Sequence, residues 1–133
     1  MALTADRNTP MRDGDLIEPP VATGVAIKSG SLVAANATGF ATPGAAATTL
    51  TYLGRAEEAV DNTLGADGAV TVKVRRKKAF KFANSATDAV TQASLGKACY
   101  IEDDQTVAAT NGTGTLSAAG TVIGIDTDGV WVE

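Results

Sequence analysis

Glu57–Glu58, Asp61 and Glu102–Asp103–Asp104 are the carboxylate groupings of this sequence. Two carboxylates facing each other across a cleft hydrolyse glycosides, one as acid and the other as base or nucleophile. Acids adjacent in sequence more often mark a solvated turn, and both runs are read that way. Oxygen-rich runs also suit a hard divalent cation, but the 102–104 spacing matches no cation-binding loop. The absence of histidine removes histidine-dependent triads, histidine bases and most zinc or iron sites. Serines and threonines are plentiful, yet nothing in the sequence activates one as a nucleophile. GADG, NGTG and SAAG do not follow a strand and open a helix, as a phosphate-binding loop does. The single cysteine, Cys99 in KACYI, reads as a small core residue rather than a reactive thiol. The residues point away from catalysis, and no cofactor or metal is expected.

The basic residues are distributed unevenly. VTVKVRRKKAFKF, residues 70–82, holds Lys73, Arg75, Arg76, Lys77, Lys78 and Lys81, six of the eleven cations. The other five stand against all fifteen acids, so the remainder of the chain carries −10 and the whole −4. A nucleic-acid binder is basic over its whole face, and aromatics for stacking on single strands are scarce. Nucleic acid is therefore not an expected partner. The stretch suits a solvated strand edge whose lysines block aggregation, or docking against an acidic protein surface.

The elements that must position these residues are short strands. Val70, Val72 and Val74 alternate with Thr71, Lys73 and Arg75, which predicts a strand with valines inward. Continuing that register to Phe80 and Phe82 would bury Arg76 and Lys78, which is too costly for unpaired cations. A turn or bulge is therefore expected at 76–78. Val25–Ile27 and Leu32–Ala35, with Ser29–Gly30 between, and Phe40 after the Asn36–Gly39 turn, predict a pair of hairpins. Thr49–Arg55 reads as a half-buried strand and 61–69 as turn. A short helix is expected over about 88–95, capped by Thr87 or Ser85 and closed by Gly96. KACYIED and TVAAT read as strands. TVIGI and VWVE, joined through Asp128–Gly129, read as a closing hairpin, with Trp131 in the core. About eight to ten strands and one helix give an all-β barrel or sandwich.

Length suggests one β domain, residues 21–133, behind an arm. Residues 1–20, with Arg7, Pro10, Arg12, Pro19 and Pro20, show neither helical nor strand periodicity. Fully extended, they would reach roughly 60–70 Å. MALTADRNTPMRDGD lacks the apolar run of a signal peptide, and no stretch approaches the length of a membrane span. A soluble product made in the cytoplasm, with no membrane partner, is the expectation.

RNTPMRDGD, VATGVAIKSGSLVAANATGFATPG, YLGRAEEAVDNTLGADGAVTVKVRRKKAFKFAN, LGKACYIEDDQTVA and GTVIGIDTDGVWVE together resemble the capsid cement, or head-decoration, proteins of tailed phages and prophages. The likeness covers nearly the whole chain and is one of overall pattern, not of a chemical motif. It implies a small β-rich, non-enzymatic protein on the outside of a phage head, in the virion. There it would bind the major capsid protein, assemble with itself as a dimer or trimer, and bridge neighbouring subunits. Lys73, Arg75, Arg76, Lys77, Lys78 and Lys81 would then be the candidate docking residues, with arm contacts through Arg7, Pro10 and Arg12. Two other readings remain: a tail or baseplate structural protein, and a carbohydrate- or receptor-binding β-domain, whose usual sign is a platform of exposed aromatics.

Overall fold

The computed structural model describes residues 1–133. Its strands are β1 (Leu16–Ile17), β2 (Ala26–Ile27), β3 (Leu32–Ala35), β4 (Ala41–Pro43), β5 (Thr51–Ala56) and β6 (Val60–Asp61), followed by β7 (Val74–Arg75), β8 (Phe80–Asn84), β9 (Ala98–Ile101), β10 (Thr106–Ala108), β11 (Ala118–Asp126) and β12 (Gly129–Val132). The fold is all-β, as the alternation and the turn residues predict.

Five strands close into a barrel in the order β10-β8-β12-β11-β9. Alternation in β8 and β12 sends Phe80, Phe82, Val130 and Val132 inward, where they meet Val90, Cys99, Ile101, Val107 and Val122. Cys99 is buried and its Sγ lies 3.4 Å from the Gly120 carbonyl. Burial pushes its thiol up to about 11, so it behaves as the expected core residue.

A five-stranded sheet runs β1-β7-β5-β3-β4, apart from a two-stranded β2-β6 sheet. Its two ends are tied together by residues 20–22: Ala41 N–H donates to the Pro20 carbonyl (2.8 Å) and Ala22 N–H to the Ala41 carbonyl (2.9 Å). β3 is covered on both faces. Leu32 and Ala34 join the barrel core, while Val33 joins a second core of Val21, Ile27, Ala41, Ala56, Val72 and Val74. A strand buried on both faces reads as a continuous apolar run, which is what LVAA is.

Three expectations need correction. First, the arm is shorter than residues 1–20. Residues 15–21 pair along 70–76, through Arg76 N–H to the Asp15 carbonyl (2.8 Å), Val72 N–H to Pro19 (3.1 Å) and Val21 N–H to Val70 (2.9 Å). Pro19 and Pro20 fit here because each serves as an acceptor only, and this concealed the strand.

Second, β2 does not form a hairpin with β3. It pairs with β6, Ala26 opposite Asp61 and Ile27 opposite Val60. The Asn36–Gly39 hairpin between β3 and β4 is present. Third, the 88–95 helix is reduced to one 3-10 turn, Gln92–Ser94. Asn84 clamps Val90 by both its N–H (2.8 Å) and its carbonyl (2.9 Å), and Ser85 Oγ accepts from Asp88 N–H (3.0 Å). These side chains take the backbone groups that a helix would have used. Gly96 does adopt the left-handed conformation expected at a helix end (φ 79°).

Candidate docking surface

Arg76–Ala79 is where the chain leaves one sheet and enters the barrel. Val72 and Val74 belong to one core, and Phe80 and Phe82 to the other. The predicted break in alternation is a bend with Lys77 in the left-handed region (φ 59°). That conformation is uncommon for a residue with a side chain. The bend keeps Lys77 and Lys78 exposed and Arg76 half-buried.

The six cations do not form one free patch. Arg75 lies 3.4 Å from Glu57 and 4.0 Å from Asp15, and Arg55 also pairs with Glu57. The Arg55 hydrogen bond chiefly, and then the two guanidinium charges, hold the Glu57 carboxyl below its usual range. Lys81 pairs with Asp128 at 2.9 Å. That contact raises the pKa of Lys81 and lowers that of Asp128. Lys73, Arg76, Lys77 and Lys78 have no ion-pair partner. Lys73 is exposed immediately before β7, and its N–H donates to Glu58 Oε1 at 3.2 Å.

Residues 1–13 are exposed throughout, Arg7, Pro10 and Arg12 among them, and Leu3 and Met11 are 73% and 99% exposed. Their one backbone hydrogen bond is Thr9 N–H to the Arg7 carbonyl. The arm loses its partner strand because that strand bends away at Lys77. The arm's root and the basic bend are therefore neighbours: a Cβ built on Gly14 would stand 3.0 Å from Lys77 Nζ. Beside the bend, Tyr52, Leu53, Arg76, Lys77 and Glu133 line a cleft of about 300 Å³. Neither the adjacency nor the cleft has a sequence signal.

Trp131 corrects another expectation. Val130 and Val132 face the core, so the residue between them faces out, and Trp131 is 36% exposed. Its Nε1–H donates to Asp126 Oδ2 (2.8 Å), and the Lys81 ammonium lies 5.7 Å from the ring centroid. Opposite it stands Gly124, where a Cβ would meet the indole at 3.3 Å.

The carboxylate runs serve turns. Asp61 accepts from Thr63 Oγ1 (2.7 Å) and N–H (2.9 Å), which lower its pKa. Glu102 accepts from Ser85 Oγ (2.6 Å), and Asp103 accepts from Gln105 N–H (2.9 Å). No three potential metal ligands cluster. Each of the three clefts contains a single acidic residue: Asp104, Glu133 or Asp61. No helix is long and apolar enough to cross a membrane. No family model, no curated protein and no solved structure matches the chain.

Proposed function

We propose that this chain is a capsid cement protein: it binds the major capsid protein on the outside of a phage head and bridges neighbouring subunits. The observation that carries the reading is the exposed arm, with apolar Leu3 and Met11, rooted beside the bend of Arg76, Lys77 and Lys78, three cations that have no ion-pair partner. Thirteen extended residues reach roughly 40 Å, enough to lie across an adjacent subunit. Apolar anchors order on docking, and unpaired cations steer the body toward an acidic surface. The sequence resemblance points the same way.

The test is co-sedimentation of the purified protein with expanded heads that lack it, at low and high salt. Saturable binding at a fixed ratio to capsid subunits is expected. Changing Arg76, Lys77 and Lys78 to Glu should abolish its salt-sensitive part. Recovery with tails instead of heads would move the protein to the tail or baseplate. Binding that ignores the charge reversal would leave the bend a solvated edge. A glycan-binding reading is favoured by outward Trp131 alone, and a sugar stacking there would have to displace Lys81 from the ring.

A further inference from the structure

β8 and β12 lie side by side on the barrel wall, with Phe80 opposite Val132, Lys81 opposite Trp131 and Phe82 opposite Val130. One end of this pair is the bend of Arg76, Lys77 and Lys78. Glu133, which shares a cleft with Arg76 and Lys77, is the carboxylate at that end. The other end is the turn between Asp126 and Gly129, which stands level with Ala83 by continuation of the register. It carries Asp126, which accepts from Trp131 Nε1–H, and Asp128, which pairs with Lys81 of its own chain at 2.9 Å and keeps 69% of its side chain exposed for a further cation. Five residues of strand, roughly 17 Å, separate the two ends.

Trp131 sits about midway between them. Its ring is held in place by Asp126 and Lys81, so burying it costs little rotamer entropy. Next to it Ile123, the extra residue where the β11 register slips, is 46% exposed. The face thus has a positive end, an aromatic centre and a negative end. A two-fold axis through the centre lays each copy's bend on the other's Asp126–Asp128 turn and brings the two indoles together. Isologous contacts require this kind of self-complementarity.

We propose that the outer face of β8 and β12 is a two-fold dimer interface. In the free protein the basic bend then meets the Asp126–Asp128 turn of a second copy, with Trp131 at the centre. The proposal shares with the docking reading only the unpaired cations of the bend. Its test uses purified protein without heads, so either idea can fail alone.

Trp131 is the only tryptophan, so it reports on the contact directly. Sedimentation of the wild-type chain over a wide concentration range should show monomer passing to dimer, with acrylamide quenching of Trp131 falling in parallel. Lys77→Glu with Lys78→Glu in one variant, and Asp128→Lys in another, should each weaken dimerisation at least about tenfold. An equimolar mixture of the two should restore it, because every bend then meets a turn of opposite sign. All three positions are exposed, and circular dichroism checks that the variants fold. If either does not, Trp131→Lys serves as the dissociating variant. A wild-type chain that stays monomeric with Trp131 equally quenched at every concentration overturns the proposal. So does an oligomer indifferent to both charge variants, or a mixture that fails to re-form dimers.

Discussion

Asn62 is 2% exposed, and its side-chain amide donates to the carbonyls of Ala22 (2.9 Å), Ala66 (3.0 Å) and Val21 (3.3 Å). Val21 and Ala66 also receive backbone N–H groups, from Gly68 and Ala69. Ala22 does not, so its carbonyl depends on Asn62. The amide joins the 61–69 loop to the segment that ties the sheet's ends together. Asn62→Ala removes two well-made hydrogen bonds, about 1 kcal/mol each, and strands one buried acceptor. The expected loss is about 2–3 kcal/mol, or roughly 10 °C in Tm for a chain of this size.

Asn62→Asp keeps the shape and replaces the donor with an acceptor aimed at three carbonyl oxygens. That environment disfavours the anion and raises the folded-state pKa above its unfolded value. Relative to wild type, the variant should therefore be least impaired below the unfolded carboxyl pKa. The deficit should grow as pH rises through the folded pKa. Urea unfolding at pH 4 and pH 7 measures both effects. If Asn62→Ala lay within 0.5 kcal/mol of wild type, or the deficit of Asn62→Asp did not change with pH, the amide would not be the tie described.

Three other substitutions probe the frame around the basic bend. Gly54 has φ 153°, and a Cβ there would stand 2.0 Å from the Arg75 carbonyl oxygen; Gly54→Ala should cost more than about 3 kcal/mol in chemical unfolding. The Tyr52 hydroxyl is buried without a protein partner; Tyr52→Phe, unlike most Tyr→Phe changes, should leave Tm unchanged or raise stability by about 1 kcal/mol. Glu57 has a lowered pKa from Arg55 and Arg75, so its contribution is present above its unfolded value, near 4.5, and lost as pH falls through the folded value. Glu57→Gln should flatten the acid limb of the stability profile below that pH, and an unchanged limb would remove Glu57 from the account.

The basic bend is legible because its logic is local: three valines and two phenylalanines in one register would bury Arg76 and Lys78, so the chain has to turn. The β11–β12 hairpin is legible for the same reason, with Asp128–Gly129 between two β-rich runs. Trp131 faces out although its size suggests the core. VWV states its parity, and the flanking valines take the inward positions. The 88–95 helix fails because Asn84 and Ser85, outside the window, capture its backbone groups. Asn62 leaves no signal, since an asparagine in a turn tract looks like turn chemistry whether it is exposed or tied to three distant carbonyls.

Alternation, turn residues and the cost of burying charge are short-range properties, so the sequence alone determined an all-β chain, a bend at 76–78 and an arm without periodicity. Long-range pairing is decided by which apolar faces meet, and no local pattern encodes that choice. Only the tertiary structure placed β2 against β6, ran residues 15–21 along 70–76, and covered β3 on both faces. The arrangement of the candidate docking residues belongs to this second category. Its cations are close together in sequence, but pairing of Arg75 with Glu57 and of Lys81 with Asp128 withdrew two of the six. The ladder that ends at Asp15 set the arm beside the bend of Arg76, Lys77 and Lys78.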